Sequence, residues 1–112
     1  MRDLALRLML SAVVIVAAET QLVGIGHWRV VFTAIGGEPT GRYGTAVVEL
    51  LGLAPLWWPG RRAYGDAILF AVCLGAVVAH LAVLGVSSAP PAVALAVIAG
   101  ILLRRDRADL AR

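Results

Sequence analysis

Four ionisable side chains interrupt otherwise apolar stretches of this chain: Glu19, Glu49, Asp66 and His80. Such groups are costly in a low-dielectric surrounding, so each needs a partner or a task. A carboxyl placed there resists ionisation, and a nearby imidazolium favours it. A Glu–His pair can therefore hold or pass a proton near neutral pH, which is what general acid–base chemistry requires. In this reading Glu49 is the acid or base, His80 its partner and Glu19 a second carboxylate. Arg42, Tyr43, Thr45 and Gln21, with His27 and Arg29 nearby, are the side chains expected to orient a polar head while apolar walls hold a tail. Asp66 follows Arg61 and Arg62 closely, so a local ion pair or snorkelling accounts for it. Glu/Glu/His is also a ligand set for a metal. The chain has no E-x-x-H or H-x-x-x-H spacing, however, and no metal is expected.

The elements that must position these groups are long apolar runs. Of 112 residues, 61% are hydrophobic and 15% charged, and mean hydropathy is +0.89. This excludes a disordered chain, a coiled coil and an ordinary water-soluble domain. It also disfavours a transmembrane β-barrel, whose strands alternate apolar and polar residues. The expected fold is all-α, a four-helix transmembrane bundle forming one membrane domain over residues 1–112. Its spans are expected at about 4–24, 42–58, 63–84 and 91–103.

The boundaries follow from local chemistry. Glu19-Thr20-Gln21 closes the first run. A cleaved leader is the competing reading, with Arg2 and Arg7, the apolar Leu8–Val16 and a cleavage site at Ala17-Ala18. Between the first two spans, Trp28, Val31, Phe32 and Ile35 fall at i, i+3, i+4 and i+7. They predict a short interfacial helix or re-entrant loop, ended by Gly36-Gly37 and Pro39. Trp57 and Trp58 anchor the second span before the turn Pro59-Gly60-Arg61-Arg62. Residues 67–103 hold no Asp, Glu, Lys or Arg, enough for two spans, divided at Ser87-Ser88-Ala89-Pro90-Pro91. The two prolines suit a first helical turn, and Arg104, Arg105 and Arg107 are expected to stop the last helix. Ala67, Ala71, Gly75 and Ala79 form a small-residue stripe expected to admit a neighbouring helix closely.

All ten cationic side chains are arginine, and the net charge is +3. Four spans place Arg2, Arg7, Arg61, Arg62, Arg104, Arg105, Arg107 and Arg112 on one side and Arg29 and Arg42 on the other. The positive-inside rule then puts both termini in the cytoplasm, in a bacterial inner membrane. Basic clusters at span ends are explained by topology, so no nucleic-acid partner is expected. With no lysine there is no Schiff base, and the single Cys73 reads as a small buried hydrophobe. No phosphate loop, G-x-S-x-G or c-type haem motif occurs, and no cofactor is expected. At about 1.5 Å per residue, Glu19, Glu49 and His80 lie roughly 6–10 Å below the outer boundary on three different helices. They converge there if they face one cavity.

The run Gly44-Thr45-Ala46-Val47-Val48-Glu49-Leu50-Leu51-Gly52, with Leu56 and Pro59 after it, and Gly75-Ala76-Val77-Val78-Ala79-His80 resemble the DoxX-like family of small four-span bacterial membrane proteins. Where that family often ends its first span with a Gly-x-x-Lys-Leu-like pattern, this chain has Glu19-Thr20-Gln21-Leu22. The resemblance implies a four-helix membrane bundle and, for some members, a link to membrane redox complexes or quinone. It carries over Glu49 and His80 as the polar pair.

The expected function is an outward-facing Glu/His pocket that binds a hydrophobic small molecule such as a lipid, isoprenoid or quinone. Any transformation would be acid–base chemistry of the isomerase, cyclase or hydrolase kind, ahead of quinone-linked oxidoreduction. The alternative is an accessory or structural subunit of a membrane complex, redox complexes included. A chain this short encloses a large ligand poorly alone, so a homodimer or a membrane-complex partner belongs to the expectation.

Overall fold

The computed structural model describes residues 2–111, and the side chains of all of these but Arg2, Asp109 and Ala111. Arg112 lies outside the described residues. Among them the fold is all-α, without strands. Five α-helices follow in order: α1 (Arg2–Val23), α2 (Trp28–Ala34), α3 (Thr40–Leu56), α4 (Arg62–Ala79) and α5 (Pro90–Asp106). A π-helical segment, His80–Leu84, continues α4, and a 3-10 turn, Arg107–Ala111, follows α5. The stretches Asp3–Val23 and Arg62–Leu84 are long and apolar enough to cross a membrane.

The four long helices pack side by side, each against two neighbours, in the ring α1–α3–α4–α5. Successive helices run in opposite directions. At one end, Arg7 of α1 pairs with Asp106 of α5 at 2.9 Å, Asp3 pairs with Arg105, and Trp57 Nε1 donates to Ser11 Oγ at 2.8 Å. At the other end, Gln21 of α1 meets Glu49 of α3, and His27 meets His80. The gathering of the arginines at the first end follows from this alternation.

The core sits toward the arginine-rich end. Leu10 and Val14, Leu56, Leu69, and Ala99 with Leu102 form one buried cluster drawn from all four long helices. The buried stripe of α1 is Arg7, Leu10, Ser11, Val14, Ala18 and Gln21, a helical spacing. The closest approach of two helices lies between α3 and α4. A Cβ on Gly65 would stand 2.4 Å from the Leu56 backbone nitrogen and 2.6 Å from the Gly52 carbonyl oxygen. Only glycine fits there.

Three expectations are corrected. The small-residue stripe of α4 is not its close-packing face: Ala71 and Gly75 are exposed, and the crossing uses Gly65 instead. The last helix runs past Arg104 and Arg105 to Asp106. These charges end an apolar run without ending a helix, because arginine is a good helix former and the Arg7 and Asp3 pairs hold the last turn. Of the two readings of Asp66, a local ion pair or snorkelling, its full burial excludes the second. Other boundaries agree with expectation: α5 opens on Pro90 and Pro91, and the segment after α1 is a helix that ends before Gly36.

Candidate functional site

Beyond the core, the other half of the ring holds two adjoining cavities of about 570 and 390 Å³, which form the two lobes of the candidate site. Trp28, Glu49, Val72, Ala76 and His80 line both lobes. The larger lobe is walled by α2 through Trp28, Val31, Phe32 and Ile35, the four residues whose spacing predicts an apolar face. A left-handed turn at Gly24 (φ +79°) ends α1 and lets the chain fold back so that α2 can cover the cavity.

Glu49 projects from the middle of α3 into this cavity and is only 7% exposed. The Gln21 amide nitrogen donates to both carboxylate oxygens, at 3.0 Å each. An ionised Glu49 only accepts, and the amide nitrogen is turned toward it. The Gln21 side chain is 1% exposed. Its amide oxygen is buried without a hydrogen-bond partner among the described residues.

His80 stands where α4 passes into the π-helical segment. Its Nδ1 lies 2.6 Å from the Ala76 carbonyl oxygen. A carbonyl cannot donate, so Nδ1 carries the proton, and in the neutral ring Nε2 is an acceptor. The His27 ring meets His80 edge-on, with centroids 5.1 Å apart, and tilts over Trp28 at 4.6 Å. Lost hydration there pulls the His27 pKa below the ordinary value of 6.5. Trp28 is itself tied to α1 by Nε1 donating to Thr20 Oγ1 at 2.8 Å.

The remaining expected site residues divide. Thr45 lines the larger lobe, with its hydroxyl donating to the Gly41 carbonyl at 2.8 Å. Glu19 is exposed and lies in neither lobe. At about 100° per residue, Glu19 and Gln21 differ by about 200° around α1, so only one can face inward. The buried stripe of α1 leads to Gln21. Arg42 is buried but does not line the cavity. Its guanidinium is taken by Glu38, one turn earlier, at 2.7 Å, and by the backbone carbonyls of Gln21 and Leu22. Arg42 thus pins the start of α3 to the end of α1 and holds the backbone that carries Gln21. The same ion pair holds Glu38 below the ordinary carboxylate range. Tyr43 is exposed, with the Arg42 guanidinium 4.7 Å above its ring, and does not reach the cavity.

Compared with known proteins, the chain matches no family model, no curated protein and no solved structure.

The sequence left unassigned the two roles that shape the cavity most. One is the wall formed by α2, signalled by its apolar spacing but not by any partner. The other is Gly75, where an added Cβ would meet nothing within 4 Å. Gly75 and Ala79 keep the α4 side of the larger lobe open. Among the described residues, no group of three His, Cys, Asp or Glu side chains is placed to hold a metal ion.

Proposed function

We propose that this chain is a multi-pass membrane protein whose cavity binds a hydrophobic small molecule, with Glu49 and His80 as its acid–base pair. The observation that carries this reading is that Glu49 and His80, from different helices, line two adjoining apolar cavities. A lone carboxyl and an imidazole with a free acceptor nitrogen, set in apolar walls, are the groups that proton transfer on a lipid-like substrate needs.

In this proposal α1, α3, α4 and α5 all cross the bilayer. The helices α3 and α5, 17 residues each, span about 25 Å, somewhat less than the hydrocarbon core. The outer surface supports the reading: Leu8, Met9, Val16, Leu51, Val78 and Val97 are all exposed, more apolar surface than water tolerates on a monomer. The arginine-rich end, with both termini, faces the cytoplasm of an inner membrane, and the cavity lies in the outer half. A span at α1 is supported by Leu10, Val14 and Ala18, which belong to the buried interior. A place in the DoxX-like family rests on Glu49 and His80 and their flanking glycines. For an accessory subunit, the α4 stripe would serve partner helices. Against it stand Gly75 and Ala79, which line this chain's own cavity.

Native mass spectrometry of the protein, extracted gently from its own membranes, tests the proposal. A small apolar molecule retained in stoichiometric amount, and lost in Gly75→Leu, is the expected result. Turnover of that molecule should vanish in Glu49→Gln while the fold persists. A stoichiometric protein partner with no small molecule would replace this reading with the accessory-subunit one.

A further inference from the structure

The hydrogen-bonding capacity of the cavity is one-sided. The strong donors along its walls are spent on the protein itself. Gln21 Nε2 donates to Glu49, Trp28 Nε1 to Thr20, and the Thr45 hydroxyl to Gly41. His80 Nδ1 donates to Ala76, and the Ser88 hydroxyl to the Gly85 carbonyl at 2.7 Å. Only the weak Cys73 thiol and the exposed His27 ring remain as uncommitted donors. The acceptors are not spent. The Glu49 carboxylate receives one amide and has further lone pairs. His80 Nε2 accepts in the neutral ring, whereas the Gln21 amide oxygen is sealed off from the cavity.

The charge is one-sided as well. Arg7, Arg42 and Arg105 are paired with Asp106, Glu38 and Asp3. None of them serves Glu49. A buried carboxylate held by a single neutral amide lacks the counter-charge that makes such burial tolerable.

We infer that the cavity selects a lipophilic amine, bound as its ammonium against Glu49, over a ligand that only accepts hydrogen bonds. This rests on the small-molecule reading above and narrows it to one substrate class. An ammonium brings up to three N–H donors and one positive charge, against acceptors that lack donors and a carboxylate that lacks a cation. The aromatic faces of Trp28 and Phe32 in the larger lobe also favour a cation. An alkyl chain fits the apolar remainder. A quinone brings carbonyl acceptors into a site already rich in acceptors, and a buried acceptor without a donor is penalised. An alcohol stands between the two, with one donor and no charge.

The test uses the full chain in lipid nanodiscs, with empty nanodiscs as the blank. Binding of radiolabelled dodecylamine is measured near pH 7 and displaced with unlabelled dodecylamine, dodecanol or decylbenzoquinone. The expected result is saturable dodecylamine binding, weaker displacement by dodecanol and none by the quinone. Affinity for the amine should fall about tenfold or more in Glu49→Gln, equivalent to about 1.4 kcal/mol. Displacement by the quinone at or below the amine's own concentration overturns the inference and leaves the small-molecule cavity standing. Undiminished amine binding in a folded Glu49→Gln chain also overturns it. Absence of saturable dodecylamine binding overturns the inference, and the small-molecule reading is then decided by the native mass spectra. The ranking of probes is read on the unaltered chain, so it holds whether or not the variant folds.

Discussion

The two ends of this molecule treat their polar groups in opposite ways. At the arginine-rich end, charges from different helices neutralise one another: Arg7 with Asp106, and Asp3 with Arg105. The helices there approach until Gly65 lies against the backbone of α3, and leucines fill the space between them. At the cavity end the Arg42–Glu38 pair joins residues one turn apart and lies outside the cavity, Glu49 faces only the amide of Gln21, and small residues hold the helices open. The paired, packed end holds the helices together. The unpaired, open end has the groups that a ligand can complete. Stability and binding are thus separated along the helix axes, and substitutions should divide the same way.

The largest effect is expected from Asp106→Ala, which leaves the buried Arg7 guanidinium without its acid. Breaking a buried pair from one side costs about 3–5 kcal/mol. Thermal unfolding in nanodiscs should show the loss, with ligand binding by the folded fraction unchanged. Next comes Gly65→Ala, whose methyl group meets backbone and cannot be absorbed by a rotamer change. Overpacking of this kind costs about 1–3 kcal/mol, read in the same melt. Equal stability in either variant would erase the contrast between the ends. At the open end, Gly75→Leu should change stability by about 0.5 kcal/mol or less, as at sites away from packed features. It should nevertheless abolish retention of the small molecule in native mass spectra.

The smallest effect concerns pH. The His27 pKa is lower in the fold than in the unfolded chain, so the unfolded state binds more protons as pH falls below about 6.5. The contribution of His27 to stability is therefore present above that pH and lost progressively below it, down toward the folded value. Corrected for the intrinsic pH dependence of exchange, protection of the Trp28–Ala34 amides should fall between pH 7.5 and 5.5, and this fall should be absent in His27→Phe. An equal loss of protection at the arginine-rich end would dissolve the distinction.

Much of this arrangement is legible in the chain because it depends on local periodicity and on length. The apolar face Trp28, Val31, Phe32 and Ile35 is a helical spacing, and the same four residues wall the larger lobe. Glu49 and His80 stand out because ionisable groups in apolar runs are expensive, and both line the cavity. Glu19 stood out for the same reason and faces outward. Cost alone marks a residue as unusual without saying which way it points, and a depth estimate ignores rotation about the helix axis. The buried stripe through Leu10, Val14 and Ala18 points instead to Gln21, a neutral residue that depth and charge do not single out as the partner of Glu49.

By itself the sequence determined where the helices run, that they alternate in direction and that one end collects the arginines. Each of these depends on hydrophobic pattern, helix-compatible prolines and charge, which act over a few residues. Only the tertiary structure decided which small residues touch a neighbour and which leave a void. Gly65 and Gly75 lie on one helix with the same side chain. The first is pressed against α3, and the second opens onto the cavity, because packing depends on what a neighbouring helix presents at that height. The tertiary structure likewise decided the fate of Arg42, whose guanidinium goes to Glu38 and the end of α1 rather than to a ligand. A long charged side chain takes whichever acceptor the fold brings within reach.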